Sequence, residues 1–162
     1  MKKNISYFFI VFFIIFSLQS YSQDDNINQF YEDNLKINGN EFLRVKDLDV
    51  RKFINLFTSR YKQSSSLNIV TLAGNFPENW VKPSDIEYLI SEINSTQKCC
   101  AYMNMLSSNV PEKYAEVGGF ATIFLNSYIT NSKIKLGLNS SPRVSKIETE
   151  RIMNWYNNLK NK

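Results

Sequence analysis

The chain of 162 residues contains no histidine, and that absence removes a large part of enzyme chemistry. Without imidazole there is no Ser-His-Asp or Cys-His nucleophile, no histidine-based zinc site and no histidine proton transfer. Carboxylates, lysine and tyrosine remain available for catalysis. The only glycine pair, Gly118-Gly119, lacks the spacing of a nucleotide-binding loop. We therefore favour a non-catalytic protein and expect no cofactor.

Cysteine is almost as scarce, since Cys99 and Cys100 are the only two and are adjacent. Consecutive Cα atoms lie about 3.8 Å apart, below the usual disulfide range of roughly 4.4–6.8 Å. We interpret the pair as small apolar side chains at the edge of the core, either free thiols or one strained oxidised ring. A redox or soft-metal site is the alternative, because Met103 and Met105 follow closely as thioethers.

The net charge of the chain is also small. Lysine and arginine number 19 against 15 acidic residues, a formal charge of +4, and no basic block occurs. Removal of Lys2 and Lys3 would lower this charge to +2. Such a balance is too weak to predict nucleic acid or an anionic membrane surface as a partner.

One long hydrophobic run is present, and it lies at the start of the chain. Residues 1–22 have two lysines, an apolar stretch over Tyr7–Leu18, and Ser20 and Ser22 at the −3 and −1 positions. This order is typical of a cleaved secretory signal peptide. The run is shorter than the roughly 20 residues of a membrane span. We expect a secreted or periplasmic protein with no span after cleavage and, lacking a nearby cysteine, no lipid anchor.

The remaining chain divides into a polar, partly ordered leader over residues 23–40 and a single helical domain over residues 41–162. Apolar residues at helical spacing predict four helices. These are Val50–Tyr61, Asp85–Asn94, a central helix within Glu116–Ile129, and Lys146–Leu159. The fold class expected is mostly α, an irregular array of about four amphipathic helices with up to two short strands.

Local signals complete this prediction. Asp49 is expected to cap the first helix, and the pairs Ser84/Glu87 and Ser145/Glu148 match capping boxes. The candidate strands are Leu67–Leu72 and Lys133–Leu138; the segments read as irregular or turn are Gln97–Val110 and Asn139–Arg143.

The double glycine in the central helix costs about 1 kcal/mol per residue relative to alanine. A helix that accepts this cost usually needs another backbone to approach closely. We therefore expect Gly118 and Gly119 to be contact points of the central helix.

Phe76 and Trp80 are the candidate binding residues. Both lie in a predicted loop, AGNFPENW, and aromatic loop residues are frequent binding hot spots. Trp80 is equally well explained as a core anchor at the end of this loop.

The C-terminal half resembles a group of small secreted bacterial proteins of unknown function. The resemblance rests on Trp80, Asp85, Leu89-Ile90 and the segment Val117–Ala121, in the patterns W-x-x-x-x-D-x-x-x-L-I and VG-x-x-A. It implies a helical fold and carries no activity or site residue with it. Some small helical bacterial proteins of this size serve as immunity partners of toxins, which is an analogy of fold alone.

Three functions remain open from the sequence. The leading one is a non-catalytic domain that binds another envelope or secreted protein, including an immunity-type role. The second is an envelope enzyme based on carboxylates or lysine, which requires two carboxyl groups in one cleft with one pKa raised. The third is a soft-metal protein, which requires the sulfurs of Cys99 and Cys100 to face one accessible pocket.

Overall fold

The computed structural model describes residues 36–37, 40–41 and 43–161. The chain divides into two units between Glu41 and Phe42. In the first unit, β1 (Lys36–Ile37) and β2 (Asn40–Glu41) form an antiparallel pair. The predicted signal peptide and most of the predicted leader lie outside the described residues.

The second unit contains four α-helices and five strands within residues 43–161. In chain order these elements are α1 (Val50–Ser59), β3 (Ile69–Leu72), α2 (Ile86–Glu92), β4 (Lys98–Cys99), β5 (Ala101–Asn104), β6 (Ala115–Glu116), α3 (Val117–Ile129), β7 (Asn139–Ser140) and α4 (Lys146–Lys160). Short 3-10 helices at Val45–Asp47 and Pro83–Asp85 precede α1 and α2. No described helix has the length and apolar character needed to cross a membrane.

The strands form two sheets, and this corrects the predicted fold class. β5 is the central strand of a three-stranded sheet, parallel to β3 and antiparallel to β7. β4 pairs antiparallel with β6 in a separate two-stranded sheet. The prediction of a mostly α array was therefore wrong, and the domain mixes α and β structure. A single residue, Cys100, separates β4 from β5, so the chain passes from one sheet to the other there.

Two segments account for most of the errors in the strand prediction. Gln97–Val110 was expected to be irregular but holds β4 and β5, because β5 is buried along most of its length and lacks a polar face. Lys133–Leu138 does alternate, with Ile134 and Leu136 buried, yet it forms no strand. The strand lies instead at Asn139–Ser140, inside the predicted turn.

The core is built around the ring of Phe53 on α1. Its neighbours are aromatic, with ring centroids 4.0–6.1 Å away: Phe57, Phe76, Trp80, Phe120 and Phe124. Burying each side chain contributes about 1.5–3 kcal/mol, and edge-to-face or offset pairs add about 0.5–1.5 kcal/mol each. These rings join α1 and α3 to the loop after β3.

The central helix α3 confirms the interpretation of its glycines. A Cβ on Gly118 would lie 2.6 Å from the Ile93 carbonyl oxygen, and one on Gly119 would lie 2.5 Å from the Pro142 carbonyl carbon. Both distances are far inside van der Waals contact, so only glycine allows these backbones to meet. Residues on all sides of the amino-terminal half of α3 are buried.

Asp49 and Ser145 cap their helices as predicted. Asp49 accepts a hydrogen bond from the Lys52 amide, and Ser145 accepts one from the Glu148 amide. The Glu148 carboxylate, however, accepts from Asn126 and Arg151, and the described hydrogen bonds do not include the return bond of the predicted capping box. The prediction for Ser84 was wrong, because a 3-10 turn shifts the start of α2 and Asp85 becomes its N-cap. This shift leaves Glu87 to form an ion pair with Lys160 at 3.3 Å.

Candidate functional site

The two aromatic residues predicted to bind a partner belong to the core. Phe76 is 5% exposed and Trp80 is 8% exposed, and their rings meet edge to face at 4.9 Å. The Trp80 indole nitrogen also donates a hydrogen bond of 2.7 Å to the Leu48 carbonyl oxygen. The interpretation of Phe76 as an exposed binding residue was therefore wrong, whereas the alternative interpretation of Trp80 as a core anchor is confirmed. The sequence misled because the Pro/Asn loop that carries them folds inward against α1.

The adjacent cysteines are buried free thiols. Burial raises the pKa of the Cys99 thiol to about 12 and also raises the pKa of Cys100. Both thiols therefore keep their protons near neutral pH, and both side chains are buried away from solvent, whereas the soft-metal hypothesis requires sulfurs that face an accessible pocket. Among the described residues, no group of three or more Cys, Asp or Glu side chains has an arrangement that could hold a metal ion. The placement fits the interpretation of packed side chains at the edge of the core.

The carboxylates that share a groove act as helix caps. A groove of about 590 Å³ is lined by Asp49 and Asp85. Asp49 accepts from the Lys52 amide, and this hydrogen bond lowers its pKa. Asp85 accepts from the Lys82 amide at 2.8 Å. A general acid needs a raised pKa, so the lowered pKa of Asp49 does not fit that role.

A larger cleft of about 620 Å³ lies between residues 78–83 and the carboxyl end of α3. Asn131, with φ of 48°, ends the helix in a Schellman motif, in which the Ser132 amide donates to the Ser127 carbonyl oxygen. Glu78 is the only carboxylate among its lining residues and forms an ion pair with Lys133 at 3.5 Å. No second carboxylate stands beside Glu78 among the lining residues, so the cleft does not offer the two carboxyl groups of the enzyme hypothesis.

Exposed apolar side chains gather at one end of the three-stranded sheet. We call four of them the apolar patch: Leu43 (37% exposed), Leu106 (44%), Val110 (65%) and Leu138 (55%). The described residues include only three other large apolar side chains as exposed as these. More than half of the exposed large apolar residues therefore belong to this one region.

Backbone hydrogen bonds bring the apolar patch together from distant parts of the chain. The Ala73 amide, just after β3, donates to the Leu43 carbonyl oxygen at 3.0 Å. The Asn104 amide, at the end of β5, donates to the Leu138 carbonyl oxygen at 2.7 Å. Leu106 follows Asn104 by two residues, so three chain segments end side by side at this edge.

A second surface, which we call the tyrosine patch, consists of Tyr61, Lys98, Tyr114 and Arg143. The guanidinium carbon of Arg143 lies 3.5 Å from the centroid of the Tyr114 ring, and the Lys98 ammonium lies 4.5 Å from it. The Tyr61 ring meets Tyr114 edge to face at 6.5 Å. Two cations and two aromatic rings therefore form one connected cluster.

Two chain segments connect the tyrosine patch to the apolar patch. The Asn139 side chain donates to the Asn109 carbonyl oxygen, the Ser141 hydroxyl to the Glu112 carbonyl oxygen, and the Glu116 amide to the Pro142 carbonyl oxygen. Residues 109–116 and 139–142 therefore run side by side. Val110 and Leu138 lie at one end of this pair of segments, and Tyr114 and Arg143 lie at the other.

Sequence reasoning missed both surfaces. Leu106 and Val110 stand in a polar stretch, LSSNVP, where isolated apolar residues carry no periodicity. They belong to an exposed apolar region only together with Leu138, which is 28 positions or more away along the chain. Only the order of strands in the sheet brings them together.

No family model, curated protein or solved structure matches this chain.

Proposed function

We propose that this protein is an exported, non-catalytic domain that works by binding another envelope or secreted protein. The observation that supports the proposal is the apolar patch. A concentration of exposed apolar side chains in one region of a protein surface is characteristic of interaction sites. Each patch residue leaves more than a third of its side chain in contact with water, although burial in a protein interface would be favourable.

The size of a specific interface indicates that binding extends beyond these four side chains. Stable protein complexes bury about 1,200–2,000 Å² of total surface, with an apolar centre and a polar rim. We assign the centre to the apolar patch. The segments 109–116 and 139–142 extend from it and supply a polar rim.

The test compares the double variant Leu106→Gln/Leu138→Gln with Ile147→Gln. Ile147 is the control, since it is 78% exposed and lies on α4 rather than on the segments that carry the apolar patch. Each protein is used as bait in the native cell envelope, and captured proteins are quantified. We expect a specific partner whose capture falls at least about tenfold in the double variant and is unchanged in the control. Empty captures, or equal loss in both variants, would contradict the proposal.

The role of an immunity-type partner of a toxin is one form of this proposal. It predicts that the captured protein is toxic to cells lacking this domain and that the Leu106→Gln/Leu138→Gln variant no longer protects them. Export is supported by the pattern of residues 1–22. It predicts that protein recovered from the envelope begins near Gln23, which intact-mass measurement determines.

A further inference from the structure

We propose that the tyrosine patch binds an acidic segment of the partner protein, next to the apolar residues that bind the apolar patch. This inference rests on the proposed function, because the two surfaces are joined by the same pair of segments. It specifies the chemistry of the partner: carboxylates adjacent to an apolar anchor.

The cations of the tyrosine patch are held in place before any partner arrives. Arg143 lies on the face of Tyr114, and its guanidinium reaches Glu112 at 3.4 Å and Glu116 at 3.9 Å. Lys98 covers the same ring. Side chains that are already ordered lose less conformational entropy on binding. The tyrosine–arginine composition is also that of interface hot spots.

The carboxylates near this surface are already engaged. Glu116 accepts a hydrogen bond of 2.9 Å from the Val144 amide, and Glu112 pairs with Arg143. Although β4 and β6 place Lys98 opposite Glu116, the described ion pairs do not include one between them. The Lys98 ammonium therefore keeps its positive charge available over the Tyr114 ring.

Further exposed cations flank the two tyrosines. Arg60 and Lys62 stand on either side of Tyr61, and Lys113 precedes Tyr114. None of the three forms an ion pair with a described carboxylate. At and beside the tyrosine patch, five cationic residues therefore stand against the carboxylates of Glu112 and Glu116. The five are Arg60, Lys62, Lys98, Lys113 and Arg143. Electrostatic complementarity favours an acidic partner segment.

The adjoining apolar patch argues for a protein as the source of these carboxylates. An anionic polysaccharide or a phosphate-rich polymer would match the charge but would leave Val110 and Leu138 exposed to water. A protein segment with acidic residues beside leucine or phenylalanine covers both surfaces at once.

The experiment measures binding of the full chain to fluorescent 14-residue peptides by anisotropy. One peptide carries a run of glutamates next to two leucines, and two matched peptides replace every glutamate by glutamine or by lysine. We expect the glutamate peptide to bind at least about tenfold more tightly than the glutamine peptide at low salt, because several exposed ion pairs contribute together. The lysine peptide should bind most weakly. The preference should shrink at about 0.5 M salt as the charges are screened.

Charge variants assign the effect to this surface. Lys62→Glu/Lys98→Glu should abolish the preference for glutamate, whereas Lys146→Glu, at an exposed position on α4, should preserve it. Folding of each variant is verified by its denaturation midpoint. Equal binding of the glutamate and glutamine peptides overturns the inference. So does tighter binding of dextran sulfate that is lost in the same charge variant.

The leucine variants separate this inference from the proposed function. If the parent protein binds the glutamate and glutamine peptides equally and Leu106→Gln/Leu138→Gln binds neither, the acidic-partner inference is overturned. The proposed function, binding of another protein through the apolar patch, is then unaffected. If Leu106→Gln/Leu138→Gln binds the glutamate peptide as tightly and as selectively as the parent protein, the two patches do not act as one binding surface. The apolar patch then loses its role in the proposed function as well.

Discussion

Replacing Gly119 by alanine should destabilise the domain even though it improves helix propensity. The added Cβ would stand 2.5 Å from the Pro142 carbonyl carbon, 2.6 Å from its oxygen and 2.7 Å from the Arg143 nitrogen. All three are backbone atoms, so no side chain can rotate away. The segment after β7 would have to move from α3, and the hydrogen bond from the Glu116 amide to the Pro142 carbonyl oxygen would lengthen with it.

The magnitude follows from two opposing contributions. Glycine to alanine within a helix gains about 1 kcal/mol. Overpacking a tight contact costs about 1–3 kcal/mol, and a clash with backbone lies in the upper part of this range, at about 2–3 kcal/mol. We therefore expect Gly119→Ala to lower the free energy of unfolding by about 1–2 kcal/mol. Gly118→Ala should act similarly, since its Cβ would approach the carbonyl oxygens of Ile93 and Ser95 within 2.9 Å.

The assay is urea denaturation followed by tryptophan fluorescence, with Trp80 reporting on the core. Asn157→Ala is the control for propensity, because Asn157 is exposed on α4 and should gain about 0.5 kcal/mol from alanine. If both glycine variants are more stable than the parent, as this control is, then α3 does not meet the other backbones closely and the reasoning is refuted.

Two further predictions concern titratable groups. Asp49→Ala should cost about 1 kcal/mol at neutral pH, because Asp49 caps α1. The folded state lowers the pKa of Asp49 below its ordinary 3.8. The contribution of Asp49 to stability is therefore full above pH 3.8 and fades as the pH falls through the pKa of the folded state. An equal cost of Asp49→Ala at about pH 2 in denaturant titrations contradicts this. Cys99 and Cys100 should react with a thiol reagent at pH 8 far more slowly in the native than in the unfolded protein; rapid native labelling would show that the thiols are accessible.

The helices could be predicted because their signals are local. The apolar spacing and the Asp49 cap define α1 within two residues, and Ser145 defines the start of α4. The two glycines indicated a close approach of backbones, although not which backbones. All of these inferences draw on neighbours within a few positions of the chain.

The candidate strand Leu67–Leu72 contains β3, but the order of the strands and the two surfaces could not be predicted because they depend on pairing across distance. β5 reads as AYMN, a short run that is buried mainly because it lies between β3 and β7. Phe76 illustrates the converse, since its loop looks exposed until α1 is placed against it. The apolar patch required the order of the strands, and no local pattern contains that order.

The assembly of the apolar patch links recognition to folding. Leu43, Leu106 and Leu138 come to the same end of the sheet only when β3, β5 and β7 have paired. An unfolded or half-folded chain therefore does not present the surface, and a partner that binds it draws only on the native population. Under the proposed function, a partner at about 100 times its dissociation constant would stabilise the native state by roughly 2.7 kcal/mol. The bound chain would then resist proteolysis and heat better than the free chain, and a change in the sheet far from the surface would weaken binding by lowering the population able to bind.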